Sequence, residues 1–89
     1  MKEVDINGRK IKVASSVDAV GLFCPMPIVK LAVNLKHLDP AQVVEVLADD
    51  PGFEGDVTSW CKETHNELLW LTKGTEDISI AYVQKNETD

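Results

Sequence analysis

The stretch "GLFCPMPIVKL", residues 21–31, sets a cysteine directly before two prolines and then enters an apolar pattern of helical spacing. A thiol attacks only as its thiolate, and the start of a helix is a backbone setting that favours this anion. The first turn exposes N–H groups that have no intrahelical partner, and the helix dipole places partial positive charge there. Proline is tolerated at that position because the N–H it lacks had no partner anyway. With Cys24 as the N-cap, Pro25 is the first helical residue and Pro27 the third, which leaves the amides of Met26 and Ile28 to solvate a sulfur anion. On this reading Cys24 is a reactive nucleophile, Pro25 and Pro27 are its scaffold, and Met26 and Ile28 stabilise the thiolate. The plainer alternative is a small residue at an ordinary helix cap.

The second cysteine, Cys61, is placed for neither a CxxC redox pair nor a zinc knuckle. It shares a helical face with Val57, Trp60 and Thr64 and reads as a core residue; a resolving or relay thiol is the less favoured reading. Cys61 and His65 are four apart, a spacing two metal ligands can use, but no third and fourth ligand accompany them. His65 suits a helix C-terminus, and His37 reads as solvated. Trp60 and Trp70 read as core, and Met26 as either a space-filler or part of an apolar docking rim. The acidic group Asp49, Asp50, Glu54 and Asp56 reads as a solvated loop, or as a face for a basic partner. No phosphate loop, Ser-His-Asp set or carboxylate pair is visible, so neither a metal nor a cofactor is expected.

A chain of 89 residues supports one domain with one modest core, burying about 60 to 65% of its unfolded surface. The formal charge of −6 opposes direct contact with phosphate backbones or anionic lipid. No apolar run approaches the ~20 residues needed to span a bilayer, and no signal core opens the sequence. A cytoplasmic protein with reduced thiols is expected, and a monomer.

The elements that must position Cys24 follow from turn chemistry and periodicity. In "EVDINGRKIKV", Asn7-Gly8 is a strong hairpin signal, and counting outward pairs Asp5 with Lys10, Glu3 with Lys12 and Val4 with Ile11. "SVDAV" at 16–20 is a short strand ended by Gly21. Ile28, Leu31, Ala32, Leu35 and Leu38 mark an amphipathic helix that stops near Asp39-Pro40. "AQVVEVLA" is a strand buried on both sides, residues 49–56 form an acidic loop, and a second helix fits 56–65. "ELLWLTK" and "ISIAYVQK" read as strands around Gly74, and the tail "NETD" is expected to fray. Right-handed crossovers then place both helices on one face of a mixed sheet. The fold class is α/β: a two-layer βαβαββ sandwich with a four-stranded mixed sheet, plus an N-terminal β-hairpin.

"VDAVGLFCPMPIVKL" resembles the signature of the TusA/SirA family of small sulfur-carrier proteins, a Cys-Pro-x-Pro motif after an Asp-x-x-Gly-Leu-x-Cys-Pro run, here Asp18, Gly21, Leu22, Cys24, Pro25 and Pro27. "LADDPGFEGDVTSWCKETHNELL" is similar to the family's Asp-Asp-Pro loop, second helix and Glu-Leu-Leu strand, so that the likeness spans about residues 16–84. It implies a single domain: a hairpin extension at 1–14, a core at 15–84 and a tail at 85–89. It also implies a sulfurtransferase-type carrier that takes sulfane sulfur as a transient persulfide on Cys24. The implied donor is a cysteine desulfurase or a rhodanese-like protein. The implied recipient is a sulfur-acceptor protein serving tRNA thiolation, cofactor biosynthesis or sulfur oxidation. Phe23 stands where relatives often carry a basic residue, which weakens activation of Cys24, and "THNELL" departs from the usual Gly-His-Glu-Leu-Leu. The alternative is a non-catalytic regulatory or adaptor domain that binds a partner through Phe23, Met26 and Val29.

Overall fold

The computed structural model describes residues 2–86, so most of the "NETD" tail lies outside the described residues. In chain order the elements are β1 (Lys2–Ile6), β2 (Arg9–Asp18), α1 (Met26–Lys36), β3 (Val43–Ala48), α2 (Phe53–Thr64), β4 (Glu67–Lys73), a short 3-10 turn (Thr75–Asp77) and β5 (Ser79–Gln84). The strands form one five-stranded mixed sheet in the order β1-β2-β3-β5-β4. β2 and β3 are parallel across the α1 crossover, and the other neighbours are antiparallel.

The hairpin has the register its turn residues dictate. Asn7 and Gly8 both take positive φ, 52° and 82°, and Asp5 faces Lys10, Glu3 faces Lys12 and Val4 faces Ile11. The hairpin is not separate from the "SVDAV" strand: its second arm and residues 16–18 form one ten-residue strand, β2, so the sheet has five strands rather than four plus a ribbon. A register shift between Val13 and Ser15 marks a bulge at Ala14. The extra residue turns the strand's faces over, which sends Val13 to one side of the sheet and Val17 to the other. A second bulge between Leu68 and Trp70 has the same effect in β4.

Two cores result. Leu31 and Leu35 of α1 and Phe53, Val57 and Cys61 of α2 pack with Val17, Val44, Val46, Ala81 and Val83, so both helices cover one face of the sheet. On the other face Ile6, Val13, Val43 and Tyr82 form a smaller cluster with Trp70 and Leu69 alongside. The hairpin therefore supplies half of a second core and covers apolar surface that water would otherwise reach. β3 is buried on both faces, as its composition suggests, and it carries the buried Glu45 among its valines.

Helix boundaries differ from the periodicity in two places. α1 ends at Lys36, before Asp39-Pro40. α2 begins at Phe53 rather than at 56, because burial of the Phe53 ring, 1% exposed, outweighs the poor helix propensity of Gly55. Among the described residues no helix is long and apolar enough to cross a membrane.

Candidate functional site

Between β2 and α1 the chain runs as a short loop bound at several points to the loop that follows β3. The Ala19 N–H donates to Leu47 O at 2.8 Å, which extends the strand pairing past Asp18. The Asp18 carboxylate then accepts the Val20 N–H at 3.0 Å and starts the turn. Gly21 adopts φ 88°, a left-handed conformation suited to glycine, and its N–H donates to Asp49 Oδ1 at 2.9 Å. The Cys24 N–H donates to Asp50 Oδ2 at 3.2 Å. Asp49 and Asp50 thus hold the loop that presents Cys24.

The cap lies one residue later than the proline spacing suggests. Pro25, not Cys24, is the N-cap, and Met26 is the first helical residue, with Pro27 second and Ile28 third. The Cys24–Pro25 peptide is cis. The Met26 N–H donates to Phe23 O at 2.9 Å, so it does not solvate Cys24, and a thiolate-stabilising role for Met26 is corrected on that ground. Pro27 is fully buried and anchors the turn in the core, Ile28 packs half-buried against the main cluster, and Cys24 is exposed.

The electrostatics also differ from the sequence reading. The Cys24 thiol is pushed above its ordinary value, first by hydrogen bonding to the Asp56 carboxylate, then by partial desolvation and by the negative charges of Asp56 and Asp50. The two carboxylates oppose a third negative charge and act against the thiolate that the helix start was expected to favour. Asp50 and Asp56, which the sequence presents as part of a solvated acidic loop, are therefore parts of the site. The available signal for Asp50 was the Asp-Asp-Pro run of the family resemblance, residues 49–51, which does not reach Asp56.

Around the thiol, Phe23 is 70% exposed and Met26 45%, and the apolar surface continues along α1 through Val29 and Val33. A shallow groove runs beside that face, between α1 and the end of β2, lined by Val29, Val33, Ser16 and Asp18. Cys61 is far less accessible. It is 3% exposed in the main core, and burial pushes its thiol up to about 11. His65 is the C-cap of α2 in a left-handed conformation. No group of three metal-ligating side chains occurs among the described residues.

Residues 15–85 match the family model described as sulfurtransferase TusA, and the match begins just after the Ala14 bulge. A protein of Aquifex aeolicus named as a sulfur carrier is 37% identical over 75 residues, covering 84% of this chain and 38% of the relative. A Bacillus subtilis protein also named as a sulfur carrier is 41% identical over 69 residues, covering 78% of this chain and 91% of the relative. The sulfur carrier protein TusA of Allochromatium vinosum is 42% identical over 53 residues, 60% of this chain and 70% of that protein. Relatives thus differ in extent, and this chain spans well under half of the Aquifex protein. Among solved structures, a SirA-like protein from Desulfitobacterium hafniense superposes with a TM-score of 0.73 at 19% identity, covering 82% of this chain and 99% of the other, and so shares the fold.

Proposed function

The chain belongs to the TusA sulfurtransferase family, and from that premise we propose that it is a sulfur carrier whose cargo is a persulfide on Cys24. A family of sulfur carriers implies traffic with sulfur-donating and sulfur-accepting proteins in general. Cys24 carries the proposal because it is the exposed thiol of the two, held on a braced loop within the family-matched residues.

Loading requires the Cys24 sulfur, as thiolate, to attack the terminal sulfur of a donor persulfide, R–S–SH. The new bond joins Cys24 to that sulfur, the donor S–S bond breaks, and its electron pair leaves on R–S⁻. The proton lost by Cys24 ends on the donor thiolate, so nothing is oxidised or reduced overall. Delivery repeats the exchange, with an acceptor nucleophile attacking the outer sulfur of Cys24–S–SH. The thiol itself is the carrier, and no bound cofactor enters either step. The donor class is a cysteine desulfurase or a rhodanese-like protein, and the acceptor is a protein serving thiolation, cofactor assembly or sulfur oxidation.

The test is intact-mass analysis after incubation with a cysteine desulfurase and cysteine. A gain of one sulfur atom that disappears in Cys24→Ala and survives Cys61→Ser supports the reading, and no gain in the wild-type protein overturns it. The exposed strip of Phe23, Met26, Val29 and Val33 favours a second reading, a regulatory or adaptor domain that needs only this surface. Full activity of Cys24→Ser in the cell, with loss on placing charge at Phe23, would favour that reading.

A further inference from the structure

Exposed as it is, Cys24 has carboxylates from two different elements beside it. Asp50, in the loop after β3, accepts the Cys24 N–H through Oδ2. Asp56 lies in the first turn of α2, where its own N–H donates to Gly52 O at 3.0 Å and the helix dipole favours a carboxylate. The two groups converge over Gly52: a Cβ placed on that glycine would lie 3.7 Å from Asp50 Oδ2 and 3.7 Å from Asp56 Oδ2. On the cysteine's own segment, Phe23 brings no charge to offset them.

Resting on the carrier reading above, we propose that Asp56 and Asp50 form a lock that keeps Cys24 a thiol in the free protein, and that the lock opens when an arginine- or lysine-bearing face of the docking sulfur donor pairs with these carboxylates. A carboxylate that accepts the S–H proton stabilises the neutral form, and two fixed negative charges oppose the thiolate, in keeping with the upward displacement of this thiol. The occupant's chemistry follows from complementarity. The site presents an apolar centre, Phe23 and Met26, beside carboxylates on a chain of formal charge −6, and a partner that fits it offers an apolar recess rimmed by cations. Salt pairs with that rim remove the charge that suppresses ionisation, so the thiolate forms where a persulfide is present to receive its attack. Away from a partner the sulfur stays in the form least open to oxidation.

The experiment reads ionisation directly, without sulfur transfer. Alkylation of Cys24 by iodoacetamide is followed across pH by mass spectrometry of the peptide that contains it, in the wild-type protein, Asp56→Asn and Asp50→Asn. Both substitutions are expected to move the profile toward acid and to raise the rate at neutral pH, by about tenfold for each pK unit, with the larger effect at Asp56. Asp50→Asn provides an independent reading should Asp56→Asn fail to fold. A hexa-arginine peptide, compared with sodium chloride at matched ionic strength, is expected to accelerate alkylation of the wild-type protein but not of the doubly substituted one. Superimposable profiles for the wild type and both variants, or no response of the wild type to the peptide, overturn the lock. Those outcomes leave desulfurase loading untouched, whereas failure of Cys24 to load overturns the carrier reading and leaves the alkylation profiles standing.

Discussion

The Tyr82 hydroxyl donates to Glu45 Oε2 at 2.8 Å on the sheet face away from the helices, between neighbouring strands β3 and β5. Ser16 Oγ donates to Oε1 of the same carboxylate at 3.0 Å, and Lys2 Nζ pairs with that oxygen at 2.8 Å. A carboxylate that is 6% exposed is thus joined to β1, β2 and β5 at once. Burial disfavours its ionised form and acts to raise its pKa, but the hydrogen bonds from Lys2, Tyr82 and Ser16 outweigh it and hold the carboxyl below its ordinary value.

The pH dependence of stability follows from that sign. A group whose folded value is depressed contributes stability that is present above its unfolded value, near ~4.3, and lost as pH falls through the folded value. Tyr82 has the opposite sign. Burial and the Glu45 hydrogen bond push it to about 12, so its contribution is complete below ~10 and is lost as pH climbs toward that value. Urea midpoints across pH should fall on both limbs, and Glu45→Gln should flatten the acid limb. Glu45→Ala leaves the buried Tyr82 hydroxyl unpaired and is expected to cost about 1 to 3 kcal/mol.

Asp50 ties the thiol's loop to the loop after β3, and its substitution separates that structural bond from its charge. Asp50→Ala removes the acceptor of the Cys24 N–H, an exposed bond whose loss should cost about 0.5 to 1.5 kcal/mol. Asp50→Asn keeps an acceptor oxygen and should cost less. Backbone amide exchange at Cys24, faster in Asp50→Ala than in Asp50→Asn, is the measurement. Equal exchange in the two variants would mean that the bond does not restrain the loop.

Phe23 contributes surface rather than stability. At 70% exposure its ring has little burial to lose, so Phe23→Glu should leave the unfolding free energy within about 0.5 kcal/mol of the wild type. Desulfurase-dependent loading should nevertheless fall by tenfold or more, since a charge would enter the apolar centre of the docking face. Unchanged loading would remove Phe23 from that face.

What could be read from the sequence is what local rules determine. Asn7-Gly8 dictates its own turn, so the pairing of Val4 with Ile11 follows by counting. The spacing of Leu31 and Leu35 gives the buried side of α1. The bulges at Ala14 and Leu69 leave no such trace. Ile11, Val13, Val17 and Ala19 all fall on odd positions, with only Ser15 between them, although Val13 and Val17 end on opposite faces of the sheet. The cap of α1 depended on where the Phe23 carbonyl found a donor, which proline spacing does not encode. The charge around Cys24 comes from Asp50 and Asp56, far along the chain, and tertiary folding alone places a distant carboxylate beside a thiol.

Cys61 offers a final check, because the same fold that exposes one thiol buries the other. It lies at 3% exposure among Val57, Phe53 and the sheet valines, and burial alone accounts for its elevation to about 11. Thiolate is therefore scarce at neutral pH, and a reagent must wait for the core to open. Iodoacetamide should label Cys24 in the folded protein well before Cys61. Labelling of Cys61 should follow the urea unfolding curve, at a rate set by the fraction of open chains rather than by reagent access. Cys61→Ser keeps the size but places a hydroxyl in an apolar core, at an expected cost of about 1 to 3 kcal/mol. Its desulfurase loading should match the wild type at temperatures where both are folded. Loss of loading in a folded Cys61→Ser protein would instead give the buried sulfur a part in the relay.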